Sequence, residues 1–194
     1  MIRKDVGFKG IIISFEPNPD ACTALSRKAD RDSRWFVENV ALSDTVGDVA
    51  FNVMHASQFS SLQSPLLTET DRFAAPNTVE RTIQVKSDTL AAVLPGLQGT
   101  IGFARPFLKM DTQGHDAAVI RGAGACCGTF LGLQSELSVM RIYENSLDYR
   151  ESIALYESLG FRLCALLANN RGHFPMLIEM DCIMLRADLM KHGA

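Results

Sequence analysis

The chain has 194 residues, a formal net charge of −3 and a hydrophobic fraction of 47%, enough for one ordinary globular domain with a substantial core and too apolar for a disordered chain. No long basic run marks a nucleic-acid partner, and no apolar stretch reaches membrane-spanning length. The five cysteines are odd in number and lack CxxC spacing, which excludes a disulfide framework and predicts buried or partly buried free thiols.

The first apolar run, Gly10 to Phe15 (GIIISF), is β-branched without polar alternation, the pattern of a strand covered on both faces. It stops on Glu16 before two prolines. In open α/β sheets ligands bind beyond the carboxyl ends of the strands, where an acid commonly accepts hydrogen bonds from a ribose. Equally, Glu16 is placed to start a helix: Asn18 offers a cap, Pro19 suits the first helical position, and Ala21, Leu25 and Ala29 follow at helical spacing. A second strand is predicted at Arg34–Glu38, leading into Asn39–Asp44. After a turn at Gly47, the alternation of Val49, Phe51 and Val53 and that of residues 82–86 predict an antiparallel pair. Between them, residues 55–80 form a polar, turn-rich excursion of the kind found near ligand sites.

The second half alternates strand and helix: a strand at Phe107–Met110, a helix at Asp116–Arg121, a strand at Phe130–Leu137, and a helix at Asp148–Leu159 closed by Gly160. Residues 122–130 (GAGACCGTF) around Cys126-Cys127 read as a small-residue turn. The last strands, Phe161–Leu167 and Met176–Leu185, are joined too briefly for a helical crossover and are predicted to pair antiparallel. The expected fold class is α/β, a single domain over residues 1–194 with a mostly parallel sheet and an antiparallel edge.

Three segments in this order, ISFEPNP at 13–19, ENVALSDTVGDVAF at 38–51 and FLKMDTQGHDAAVIRGA at 107–123, resemble the FkbM-type methyltransferases. ESLGFRLCAL at 157–166 and EMDCIMLR at 179–186 are similar to that family's last strands. The resemblance implies a Rossmann-like S-adenosylmethionine (SAM) methyltransferase acting on a hydroxyl oxygen of a small molecule or sugar. It implies that Glu16 holds the SAM ribose, that Asn39 and Val40 face adenine, and that Asp111 lies beside the methionine part of SAM and the acceptor. His115 is the best generic base among the residues after that strand, with Asp111 or Asp116 to orient it, and a first-turn surface histidine is the alternative. Lys109 and Glu136 are candidate substrate contacts. No HxxxH or paired-cysteine spacing fixes a metal at Asp111, His115 and Asp116, and none is expected. His55, His173 and His192 are read as surface or loop residues.

Such enzymes open with a strand, a Gly-rich turn and a helix before the ribose acid. Here Asp5 to Gly10 offers only a superficial DVGxxG with no room for the helix, so residues 1–6 are read as the tail of a missing helix and the domain as N-terminally truncated. The missing strand would be central. Its absence implies either direct closure of the sheet between Phe15 and Met110 or a strand borrowed in a homodimer, and with it weak SAM binding or none by this chain. The alternatives to a methyltransferase are a nicotinamide-dependent oxidoreductase, which needs a GxGxxG turn that is equally absent, and an inactive methyltransferase-like fragment. A soluble cytoplasmic location and a small-molecule acceptor, without nucleic acid or membrane, complete the expectation.

Overall fold

The computed structural model describes residues 2–169 and 175–192. His173 and the side chain of His192 fall outside what is described, and His55 is exposed. A four-residue helix, α1 (Ile2–Asp5), precedes strand β1 (Ile12–Phe15). Helix α2 (Pro19–Ala29) starts where the sequence predicts: the Asn18 side chain accepts the Asp20 N–H, Pro19 takes the first position, and the Arg27 and Lys28 cations lie near the carboxyl end. Strands β2 (Trp35–Glu38), β3 (Ala41–Leu42), β4 (Gly47–Met54) and β5 (Val79–Asp88) follow. Val49 opposes Val85 and Phe51 opposes Ile83 in the β4/β5 antiparallel pair, as the alternation requires.

Helix α3 (Leu90–Ile101) is not foreseen in the sequence reading. Thr89 caps it, Gly102 ends it with φ 77°, and Pro95 interrupts its hydrogen bonding, so local propensity is poor. Burial of Leu90 and Leu94 in the main core holds it. Strand β6 (Phe107–Lys109), helix α4 (Asp116–Ala123), a 3-10 turn through Cys126 and Cys127, and strand β7 (Gly132–Ser138) come next. Helix α5 (Tyr149–Ser158) carries a reciprocal capping box between Asp148 and Glu151, and it leads into β8 (Phe161–Ala168) and β9 (Glu179–Arg186). All five cysteines are free thiols; Cys164 is exposed rather than buried, because β8 is an edge strand.

The sheets are mixed, not mostly parallel. Strands β1/β2, β3/β5 and β6/β7 pair parallel, whereas β4/β5, β7/β9 and β8/β9 pair antiparallel. The physical reason is the position of β9. The order is β6-β7-β9-β8, so the reversed strand lies inside the sheet and contributes two antiparallel ladders, while the edge strand β8 runs parallel to β7. Nor does the sheet close between β1 and β6: β1/β2 and β6-β7-β9-β8 are separate sheets, and β3-β5-β4 is a third.

The main core lies on one face of the four-stranded sheet, where Leu133, Leu137, Met180, Cys182 and Met184 meet residues of α3, α4 and α5. Full burial of an aliphatic side chain is worth roughly 1.5–3 kcal/mol. No residue of β1, α2 or β2 belongs to any of the three core clusters, and the apolar strand β1 is only half-buried. Among the described residues, no helix is long and apolar enough to cross a membrane.

Candidate active site

The strand directions bring the candidate acids and the Asn39–Val40 pair to the carboxyl ends of β1, β2, β6 and β7. At the tip of β1, the Glu16 carboxylate is half-buried and accepts the Asn18 N–H at 2.9 Å. Burial raises its pKa above the ordinary value, and that single backbone hydrogen bond pulls the other way. Asn39 donates its amide N–H groups to the Glu16 carbonyl at 2.7 Å and the Pro17 carbonyl at 3.1 Å, which lashes the tip of β1 to the end of β2. Its amide oxygen, an acceptor, keeps no partner among the described residues. Val40 lies beside it, half-exposed.

Asp111, Lys109 and Glu136 form a second group, assembled by a residue the sequence reading passed over. Gln113 donates its side-chain amide to Asp111 Oδ1 at 3.0 Å and to Glu136 Oε2 at 3.0 Å. Its backbone is left-handed, φ 52°, a conformation costing roughly 1–2 kcal/mol for a residue with a Cβ. The surroundings hold it there: Ser61 Oγ donates to the Gln113 carbonyl at 2.6 Å, and the Tyr143 hydroxyl lies 2.9 Å from both Gln113 Oε1 and the Phe59 carbonyl. Asn169 donates to the other Glu136 oxygen at 2.5 Å. Gly114 follows with φ 81°, and a Cβ there would sit 2.8 Å from Tyr143 Cβ, so both backbone and space demand glycine. Lys109 Nζ lies 2.9 Å from Asp111 Oδ2, an exposed pair.

His115 stands in a separate network. Gln63 Nε2 is 2.8 Å from Nδ1 and Ser43 Oγ is 2.9 Å from Nε2. An amide nitrogen only donates, so Nδ1 accepts and the neutral ring carries its proton on Nε2, donating to Ser43. Burial lowers the His115 pKa and the Asp44 charge opposes that shift. Neither Asp111 nor Asp116 orients the ring. Asp116 is fully buried and accepts from Thr112 N at 3.0 Å, from Thr112 Oγ1, and from Ser135 Oγ at 2.6 Å. Ser135 is also 2.7 Å from the Tyr156 hydroxyl. Asp116 thus ties the α4 start to β7 and α5, with its pKa raised by burial against those hydrogen bonds.

A family model described as the methyltransferase FkbM domain matches residues 1–163. The chain belongs to the FkbM methyltransferase family. The match spans every element from α1 to the start of β8, and so includes Glu16, Asn39, Val40, Lys109, Asp111, His115 and Glu136. No curated protein and no solved structure matches the chain. Three partners of these FkbM-domain residues, Ser43, Gln63 and Gln113, had a weak signal at most in the sequence: the Gln-Gly step at 113–114 marks a tight turn, but nothing local pairs Ser43 with His115 across 72 residues.

Proposed function

We propose that this methyltransferase uses SAM and methylates a hydroxyl oxygen on a small molecule or sugar. The observation that carries this reading is the Glu16 carboxylate: it ends a parallel strand, is half-buried, and among the described residues has only one hydrogen bond occupying its acceptor capacity. The remaining lone pairs suit a ribose diol, which needs two acceptors. The free Asn39 oxygen suits an adenine amino group, and Val40 supplies an apolar wall. These residues fit SAM, which when bound supplies a methyl group on a sulfonium.

The chain's own part is alignment and proton removal. Asp111 is the exposed acid at the end of β6 and serves as the base that takes the hydroxyl proton. Gln113 and Lys109 hold its two oxygens in place. Glu136, bridged to Asp111 by the same Gln113 amide, contacts the acceptor. His115 acts as a positioning residue, because its one lone pair is already engaged by Gln63. The α/β arrangement, with these acids at the carboxyl ends of parallel strands, supports a Rossmann-like frame. Incubating the protein with methyl-labelled SAM and a panel of hydroxyl compounds tests the proposal: the label should appear as an O-methyl ether. Label on nitrogen or carbon, or none on any acceptor, would count against it.

A further inference from the structure

The buried Tyr143 hydroxyl has one proton and two acceptors within reach, the Phe59 carbonyl and Gln113 Oε1, each at 2.9 Å. One of the two goes without that proton. At its other end the Gln113 amide nitrogen donates to Asp111 Oδ1 and to Glu136 Oε2, each at 3.0 Å. That arrangement suits two ionised acids, which only accept. A half-turn about the last side-chain bond exchanges the amide nitrogen and oxygen, which have nearly the same shape, and moves nothing else. Gln113 then donates to the Tyr143 oxygen, and the Tyr143 proton goes to Phe59 alone. Every group at that end is satisfied. At the other end the amide oxygen now faces two carboxylates, which repel it unless one of them carries a proton to donate.

That proton belongs on Glu136. Water and the Lys109 ammonium at 2.9 Å already compensate the charge on Asp111. Glu136 lies on the acidic face of the β7/β9 ladder, where it opposes Asp181. Burial, and then the charges of Glu179 and Asp181 on β9, of Asp111 beyond β6 and of Asp116 on α4, push its pKa up to about 8. Asn169 donates to its other oxygen, so the proton has its place on the side of Gln113. The consequence falls on Asp111. With Glu136 ionised, Asp111 Oδ1 receives an amide N–H, which stabilises the carboxylate and weakens it as a base. With Glu136 protonated, that N–H has turned to Tyr143 and Asp111 draws a proton more strongly.

We propose that Gln113 is a positioning residue that turns with the proton on Glu136, taking Tyr143 as its alternative partner, and so sets how strongly Asp111 draws the proton of the acceptor hydroxyl. The effect on catalysis rests on the reading of Asp111 as the base; the linked turn stands on the hydrogen bonds. The left-handed backbone of Gln113 and the close approach of Gly114 to Tyr143 keep the amide within reach of both ends.

The test is an NMR pH titration of the full chain that follows the Glu136 carboxyl carbon and the Gln113 side-chain amide protons. Contacts between those protons and the Tyr143 ring should strengthen as pH falls through the Glu136 midpoint and fade above it. The turned state makes two hydrogen bonds with the Tyr143 hydroxyl and the other state one. Tyr143→Phe therefore removes more from the protonated form and should lower the Glu136 midpoint by about half a unit to one unit. In a Gln113→Ala background the same substitution should leave the midpoint in place, whereas a loosened core would move it there too. Should Tyr143→Phe fail to fold, the wild-type contacts decide alone. Amide protons that stay beside the two acids at every pH, a Glu136 midpoint unmoved or raised in folded Tyr143→Phe, or an equal drop without Gln113 would overturn the inference. A turning amide without methyl transfer to any hydroxyl compound sinks the methyltransferase mechanism alone, and methyl transfer with a fixed amide sinks this inference alone.

Discussion

Glu16 and Asp111 occupy equivalent places, each just beyond a parallel strand, but differ in environment. Glu16 is half-buried with a raised pKa, whereas Asp111 is exposed and ion-paired. A ribose diol is held best by the ionised carboxylate. Because burial lifts the Glu16 pKa, the ionised fraction falls at a higher pH than for an ordinary glutamate. SAM affinity should therefore hold near neutrality and weaken as pH drops toward that raised value, and calorimetric titration across a pH series measures it. Asp111→Asn should lower turnover by about 10²-fold or more. The melting temperature should barely change, since an exposed ion pair contributes about 0–1 kcal/mol. Unfolding without a separate loss of turnover would make Asp111 a structural residue. Both acids were legible in the sequence because each follows an apolar run directly. The setting of His115 was not, since Ser43 and Gln63 lie 72 and 52 residues away along the chain.

Helix α4 is positioned by close approach. A Cβ on Gly122 would lie well inside van der Waals contact of the Ser43 carbonyl oxygen, so α4 sits directly on the turn after β3. Gly122→Ala gains roughly 1 kcal/mol in helix propensity. The overlap costs about 1–3 kcal/mol and involves backbone, which cannot swing aside. The variant should lower the melting temperature and detach Ser43 from His115, visible in the histidine nitrogen shifts; a stabilised variant would contradict the packing. The β7/β9 ladder sets a pH dependence of its own. Glu136 and Glu179 have folded-state pKa values raised above the unfolded value, by burial first in both, then by the charges of Glu179, Asp111, Asp116 and Asp181 at Glu136 and by those of Asp111 and Asp181 at Glu179. Each binds its proton more tightly when folded. Their stabilising contribution is therefore complete below the unfolded carboxylate pKa and is lost as pH climbs toward the raised values. Thermal melts should show stability falling from mildly acidic to mildly alkaline pH, and Glu179→Gln should flatten that slope. Strands β4 and β5, helix α2 and helix α5 were legible because their signals are local. The acidic face was not: Glu136 and Asp181 are opposed only through the β7/β9 register.

At the scale of the molecule, the Glu16 group and the Asp111 group stand on different sheets. The β1/β2 pair and α2 lie outside all three core clusters, whereas β6 and β7 are built on the largest. Among the described residues β1 pairs only with β2 and β6 only with β7, so each presents an unpaired edge. The order of elements was readable from hydrophobic period and punctuation, which are properties of single segments. That β9 would insert between β7 and β8, and that three sheets would form, depends on pairing between distant strands, and no single segment encodes it. In the proposed reaction one SAM molecule spans both groups, with its ribose on Glu16 and its methyl near Asp111. The most direct measurement is an NMR titration of SAM into the wild-type chain and into Glu16→Ala. Saturable shifts should appear at residues 16–18, 39–40 and 111–113 together, with affinity weakened by about 1.5–3 kcal/mol in the variant. Shifts confined to one group, the same affinity in a folded Glu16→Ala protein, or no response to SAM would contradict it.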